Sequence, residues 1–157
     1  MMDNLLAIVV TVVSGVLVYI IGEMLQTIWL APLQKYKEIK HDVAVALSFY
    51  AREYTNVIDF ACANDKQLEE YREVCDTLRK LSCEIKGFIE TLSWFKVGIP
   101  SKKKLAEASD SLMILSNSLF SPYNTPPTAQ DGHENKETAN EVYKALGMYA
   151  VRKTKRR

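Results

Sequence analysis

The chain has 157 residues, 48% of them hydrophobic, and 20 basic against 19 acidic side chains for a formal net charge of +1. That length allows one modest domain, and so even a charge balance argues neither for nor against nucleic acid as a partner; only the basic C-terminal tail is suggestive. Its three cysteines, Cys62, Cys75 and Cys83, form no C-x-x-C pair. They therefore read as reduced, partly buried thiols rather than as a disulfide frame or a zinc site.

The first element is the uncharged run Asn4 to Gly22, NLLAIVVTVVSGVLVYIIG, between Asp3 and Glu23. A helix rises about 1.5 Å per residue, so an apolar run of about 20 residues crosses a hydrocarbon core of about 30 Å. Lipid offers backbone groups no partners, and a helix is the form that satisfies them internally. The segment over residues 4–31 is thus expected to be a transmembrane helix. A cleaved signal peptide fits less well: Met-Met-Asp-Asn carries no basic residue, the run is too long, and Pro32 follows Ala31 directly. Lys35, Lys37 and Lys40 follow the span and no basic side chain precedes it. The expected topology is an inner (cytoplasmic) membrane protein, single-pass, with the N-terminus outside and the C-terminus in the cytoplasm. Trp29 and Tyr36 suit the interfacial belt, with Tyr19 deeper and Glu23 at the inner headgroups.

Within the span, Ala7, Thr11 and Gly15 are spaced by four, with Gly22 nearby. Small residues on one helix face let two backbones approach closely, so these four are the candidate oligomer interface. Ser14 and Glu23 are candidates for lining a pore or an interface.

Residues 33–120 read as a cytoplasmic helical domain. Pro32 is expected to kink or restart the helix, since it lacks an N–H and clashes with the preceding turn. From Leu33 to about Ala63, Tyr36, Val43, Leu47, Tyr50, Tyr54, Val57 and Ala61 recur at threes and fours and make one apolar face. Asn64-Asp65 reads as a break and cap before a helix over Lys66 to Leu92, with Leu68, Tyr71, Cys75, Leu78, Ser82, Ile85, Ile89 and Leu92 inward. Ser101 is expected to cap a third helix, Lys102 to Leu119, with Leu105, Ala108, Leu112, Leu115 and Leu119 inward. Lys102-Lys103-Lys104 at its start is a conflict, because cations sit poorly at the positive end of a helix dipole. Residues 121–136 include Pro122, Pro126 and Pro127 and read as a linker. Residues 137–157 read as a short helix weakened by Gly147 and a basic tail. In that tail Arg152, Lys153, Lys155, Arg156 and Arg157 are candidate contacts to anionic lipid or RNA. No alternation of strand type occurs, so the expected class is all-α: a transmembrane helix followed by a three- to four-helix bundle.

Catalytic and cofactor motifs are missing. Glu38 and His41 form a single E-x-x-H, where a di-iron bundle needs two such pairs and two further carboxylates. Ser101 to Lys104 matches S-x-x-K, but neither S-D-N nor K-T-G accompanies it, and Ser101 reads as a cap. No phosphate-binding or dinucleotide-binding glycine pattern occurs. The sequence therefore points to a protein that is not an enzyme and binds no cofactor.

The span followed by APLQKYKEIKHDVAVALSFYA, then LRKLSCEIKGFIETLSWF and IPSKKKLAEASDSLMILSNSL, resembles a family of small, uncharacterised bacterial proteins with one N-terminal transmembrane helix and a cytoplasmic helical domain. In layout the chain is also similar to the HEPN-like membrane accessory proteins of CRISPR systems, which assemble in the membrane. The Arg-His motif of HEPN ribonucleases has no counterpart here. The family carries no assigned activity; the anchor, the small-residue face and the three amphipathic helices point to a membrane-anchored helical module that self-associates and recruits a cytoplasmic protein partner, and the alternative is an oligomeric pore-forming effector of antiphage defence.

Overall fold

The computed structural model describes residues 2–59, 63–92, 98–119 and 128–148, the backbone alone for 2–6 and 129. The all-α class read from the sequence is the class observed: every regular element is helical, and the described residues hold no strand. Helix α1 (Met2–Leu25) passes through a single wide π turn (Gln26–Leu30) into α2 (Ala31–Phe49). The π turn is the local answer to Pro32. In place of a sharp kink, the Ala31 N–H donates to the Gln26 carbonyl five residues back, and Pro32 falls in the first turn of α2, where its missing donor costs little.

The helix expected from Leu33 to Ala63 is divided. It ends at Phe49, turns at Tyr50 (φ −92°, ψ 20°), and resumes as the short α3 (Ala51–Thr55). There Thr55 Oγ1 donates to the Ala51 carbonyl (2.8 Å) and Asn56 Nδ2 to the Arg52 carbonyl (2.8 Å), which competes with continuation of the helix. Helix α4 (Asp65–Thr91) starts where the sequence placed it. Asn64 accepts from the Gln67 N–H (2.8 Å) and the Gln67 side chain accepts from the Asn64 N–H (3.2 Å), a complete capping box. Helix α5 (Lys102–Asn117) starts at Ser101, whose Oγ accepts from the Lys104 N–H at 3.4 Å.

The last helix departs from the expectation. Helix α6 runs Ala129–Ala145, so it begins inside the segment read as linker and ends before the range expected for it. The signal is a capping box of Thr128 and Asp131, whose carboxylate accepts from the Thr128 N–H at 2.7 Å. Gly147 does not weaken the helix; it ends it. At φ 57° it lets Met148 N–H reach the Tyr143 carbonyl (2.7 Å) and its own N–H reach the Lys144 carbonyl (3.1 Å), a Schellman closure. Residues 121–127 and 149–157, with the three linker prolines and the basic tail, lie outside the described residues, as do Ala61, Cys62, Trp94 and Phe95.

Helices α2, α4, α5 and α6 form an up-down-up-down bundle in which each is antiparallel to its neighbours. Tyr36 at the start of α2 stacks on Phe88 at the end of α4, with ring centroids 6.4 Å apart. Cys75 meets Ser116, and Ser82 meets Ser109, which sets α4 against α5. Ser118 bonds Asn135, starting α6 where α5 ends. Closure comes from α6 back to α2: the Tyr36 phenol donates to the Leu146 carbonyl (2.7 Å), Lys40 to the Gly147 carbonyl (2.9 Å), and Ser48 Oγ lies 3.3 Å from the Tyr143 phenol. Tyr36 is therefore a core residue, 5% exposed, and not part of an interfacial belt.

The core is continuous. Leu47, Leu78, Ile85, Leu112 and Leu115 are fully buried together, with Ile39, Val43, Leu105, Leu119, Val142 and Leu146. One departure from the sequence reading lies on α4, while Ser82 is buried as its stripe predicts. Val74, Leu81 and Phe88, spaced by seven, are buried beside the expected stripe of α4, because α4 packs on α2 as well as on α5. Ser82 and Ser109 are fully buried and exchange bonds: each hydroxyl donates to the other's carbonyl (2.8 and 2.9 Å) with the two oxygens 2.9 Å apart. Small, mutually satisfied side chains let α4 and α5 approach closely without an orphaned polar group.

Candidate functional site

The bundle completes its core without α1. Every described side chain from Ala7 to Leu30 is exposed, including Val18 at 70% and Trp29 at 42%. This helix is long and apolar enough to cross a membrane. The exposed apolar surface passes Glu23 and continues through Met24, Leu25, Ile28 and Leu30 up to the bundle, about 36 Å of helix from Ala7. That exceeds the thickness of a hydrocarbon core, about 30 Å.

On α1 the candidate interface residues Ala7, Thr11, Gly15 and Gly22 share one face. A Cβ added at Gly15 or at Gly22 would meet no atom within 4 Å, so both glycines leave open space on the surface of a single chain. The Thr11 hydroxyl donates to the Ala7 carbonyl (2.8 Å) and Ser14 to the Thr11 carbonyl (2.9 Å). Both hydroxyls are satisfied within their own helix. Tyr19 lies one turn before Glu23 on α1.

The fold sorts charge between the two ends of the bundle. At the end where α1 joins, residues 33–40, 86–92, 98–105 and 142–148 carry eight lysines against two carboxylates, Glu38 and Glu90. At the opposite end, residues 48–59, 63–73, 112–119 and 128–135 carry eight carboxylates against three basic side chains, Arg52, Lys66 and Arg72. The Lys102-Lys103-Lys104 run belongs to the α1 end because a Cβ at Gly98, in the turn before α5, would lie 3.3 Å from Leu33 in the first turn of α2. Lys35 pairs with Glu38 (3.4 Å) and Lys103 reaches Glu107 (4.0 Å), both on the exposed surface. Lys37, Lys102 and Lys104 have no carboxylate partner among the described residues. Cations at the start of α5 cost about 0.3–1 kcal/mol each in dipole energy, and among the described residues only Lys103 has a carboxylate, Glu107, to offset it.

A second surface was not legible as a site. Between α2 and α4 runs an open groove whose wall includes Val45, Phe49, Thr77 and Lys80, with Val45 52% and Phe49 76% exposed. Its signal in the sequence was a pair of apolar residues four apart that fall off the stripe of α2. His41 lines this groove, while Glu38 turns to Lys35, so the E-x-x-H pair does not converge. Among the described residues no three His, Cys, Asp or Glu side chains gather at metal-binding distance. Cys75 is buried and its thiol donates to the Ser116 carbonyl (3.1 Å); Cys83 is exposed. Comparison with protein-family models, curated proteins and solved structures finds no match to this chain.

Proposed function

We propose that this protein is a single-pass membrane-anchored helical interaction module that self-associates through its span and presents its bundle to a cytoplasmic protein partner. One observation carries the proposal: the bundle buries its own core while α1 contributes nothing to it, so α1 is folded surface that requires lipid or another copy of itself. The small-residue face of α1 suits self-association, and the exposed Val45–Phe49 groove suits a protein partner. The lysine-rich end beside α1 supports the orientation with the N-terminus outside and the bundle in the cytoplasm of a bacterial cell. Under this topology the tail, Arg152 to Arg157, is tethered next to the inner leaflet, which favours anionic lipid over RNA as its contact.

The alternative, a pore-forming effector of antiphage defence, needs polar groups facing a water-filled lumen. Thr11 and Ser14 donate to the Ala7 and Thr11 carbonyls of their own helix, which favours the module. The test is energy transfer between labelled full-length chains in bilayers, with Gly15→Ile against Ile20→Ala on the other side of α1. Self-association lost only with Gly15→Ile supports the module. Equal association for both variants removes the small-residue face from the proposal. Collapse of membrane potential on expression, reported by a potential-sensitive dye, overturns the module in favour of the pore.

A further inference from the structure

We propose that the lysine end of the bundle is a docking face for anionic phospholipid, on which Lys37, Lys102, Lys103 and Lys104 rest among the headgroups and hold the bundle against the membrane. The inference rests on the reading of α1 as a span.

Three observations carry it. The helical backbone is continuous from α1 through the π turn into α2, so the lysine end is the end held next to the bilayer, and the carboxylate end points away. Leu30 is the last large exposed apolar residue before the bundle, and Lys37 follows about 10 Å further along the helix, a little more than the Debye length of about 8 Å at physiological salt, a gap that the flexible lysine stem shortens. The contact between Gly98 and Leu33 brings the start of α5 to the end of the bundle where α2 begins, so a lysine run remote in sequence shares that end with Lys37.

The chemistry fits a phosphodiester headgroup of net negative charge. Lysine is a compact cation on a flexible stem, able to reach phosphates in a fluid plane without fixed geometry. A plane of phosphates also relieves the dipole conflict at the start of α5. The sorting of carboxylates to the far end keeps like charge away from the leaflet.

The experiment uses the full-length chain in lipid discs of phosphatidylcholine, alone or mixed with phosphatidylglycerol. A water-soluble acetylating reagent is applied briefly and each lysine is read by mass spectrometry. An anionic surface favours each nearby lysine by about five-fold. Lys37, Lys102, Lys103 and Lys104 should therefore acetylate several-fold more slowly in anionic discs, while Lys66 at the opposite end is unchanged. The difference should vanish at high salt and survive deletion of residues 152–157. Equal rates in both lipids, in a chain that resists an alkaline carbonate wash, overturn the docking face and leave the span standing. Release of the chain by that wash overturns the span itself. Loss of protection on deleting the tail assigns the lipid contact to the tail and overturns the proposal. Protection by added RNA in neutral discs, with none from anionic lipid, overturns it in favour of nucleic acid.

Discussion

Gly132→Ala separates a packed α6 from a solvated linker. Gly132 is buried in the first turns of α6, where an added Cβ would overlap the Thr55 carbonyl oxygen and stand 3.1 Å from its carbon. The obstacle is backbone, not the end of a flexible side chain, so α6 must withdraw from α3 by about an ångström to restore ordinary contact. Alanine gains about 0.8–1 kcal/mol in helix propensity over glycine. Overpacking of this kind costs about 1–3 kcal/mol and more where backbone must shift. The net expectation is destabilisation by up to about 2 kcal/mol. Gly87→Ala on α4 is the matched control: Gly87 is exposed, its Cβ would meet nothing within 4 Å, and the same substitution should stabilise by about 0.5–1 kcal/mol. The assay is amide hydrogen exchange of the full-length protein in lipid discs, read over α6 and α4. Opposite signs are expected, with faster exchange of α6 in Gly132→Ala and slower exchange of α4 in Gly87→Ala. If Gly132→Ala protects α6 as Gly87→Ala protects α4, then α6 is not seated on α3 and the packing argument fails.

Three further outcomes are expected. Leu78→Ala and Leu112→Ala, each at a fully buried site, should lower stability by about 2–5 kcal/mol; a urea midpoint no lower than that of Glu70→Ala, on the exposed face of α4, would refute the core. Burial raises the pKa of Tyr36 and, helped by neighbouring Tyr143 and Glu53 respectively, those of Tyr54 and Tyr71. Each phenol is thus held neutral by the fold, its contribution is complete below the ordinary value of 10.0 and is lost as pH rises through the raised one, so stability should fall above about pH 10 and hold below it; a titration monitored by near-UV dichroism that shows loss of tertiary signal near neutral pH would contradict this. Cys83 is exposed, whereas burial pushes the Cys75 thiol up and encloses it, so brief alkylation should label Cys83 and spare Cys75 until denaturant is added; equal labelling in native protein would show that α4 and α5 are not closed on each other.

The sequence by itself determined what depends on neighbours along the chain. A run without charge and long enough to span lipid is a property of composition, so α1 was legible from Asn4 to Gly22. The caps at Asn64 and Ser101 are local hydrogen bonds, and both helices start there. For α5 the predicted positions Leu105, Ala108, Leu112, Leu115 and Leu119 are all buried, beside Ser109, Ser111 and Ser116, which the apolar stripe does not include. Tertiary structure decided the rest, because the deciding partners are distant in sequence. Helix α4 buries a second stripe only because α2 lies on its other side. Tyr36, expected in an interfacial belt, lies in the core because Phe88 and the Leu146 carbonyl meet it there. A segment rich in polar residues becomes α6 because Gly132 fits against Thr55 and Asn135 against Ser118, contacts that no periodicity encodes. The lysines of α5 reach the end where α1 joins because antiparallel neighbours with short connections return the chain to that end at α5, and only the fold, not the spacing of charges, puts Lys102 at the same end as Lys37.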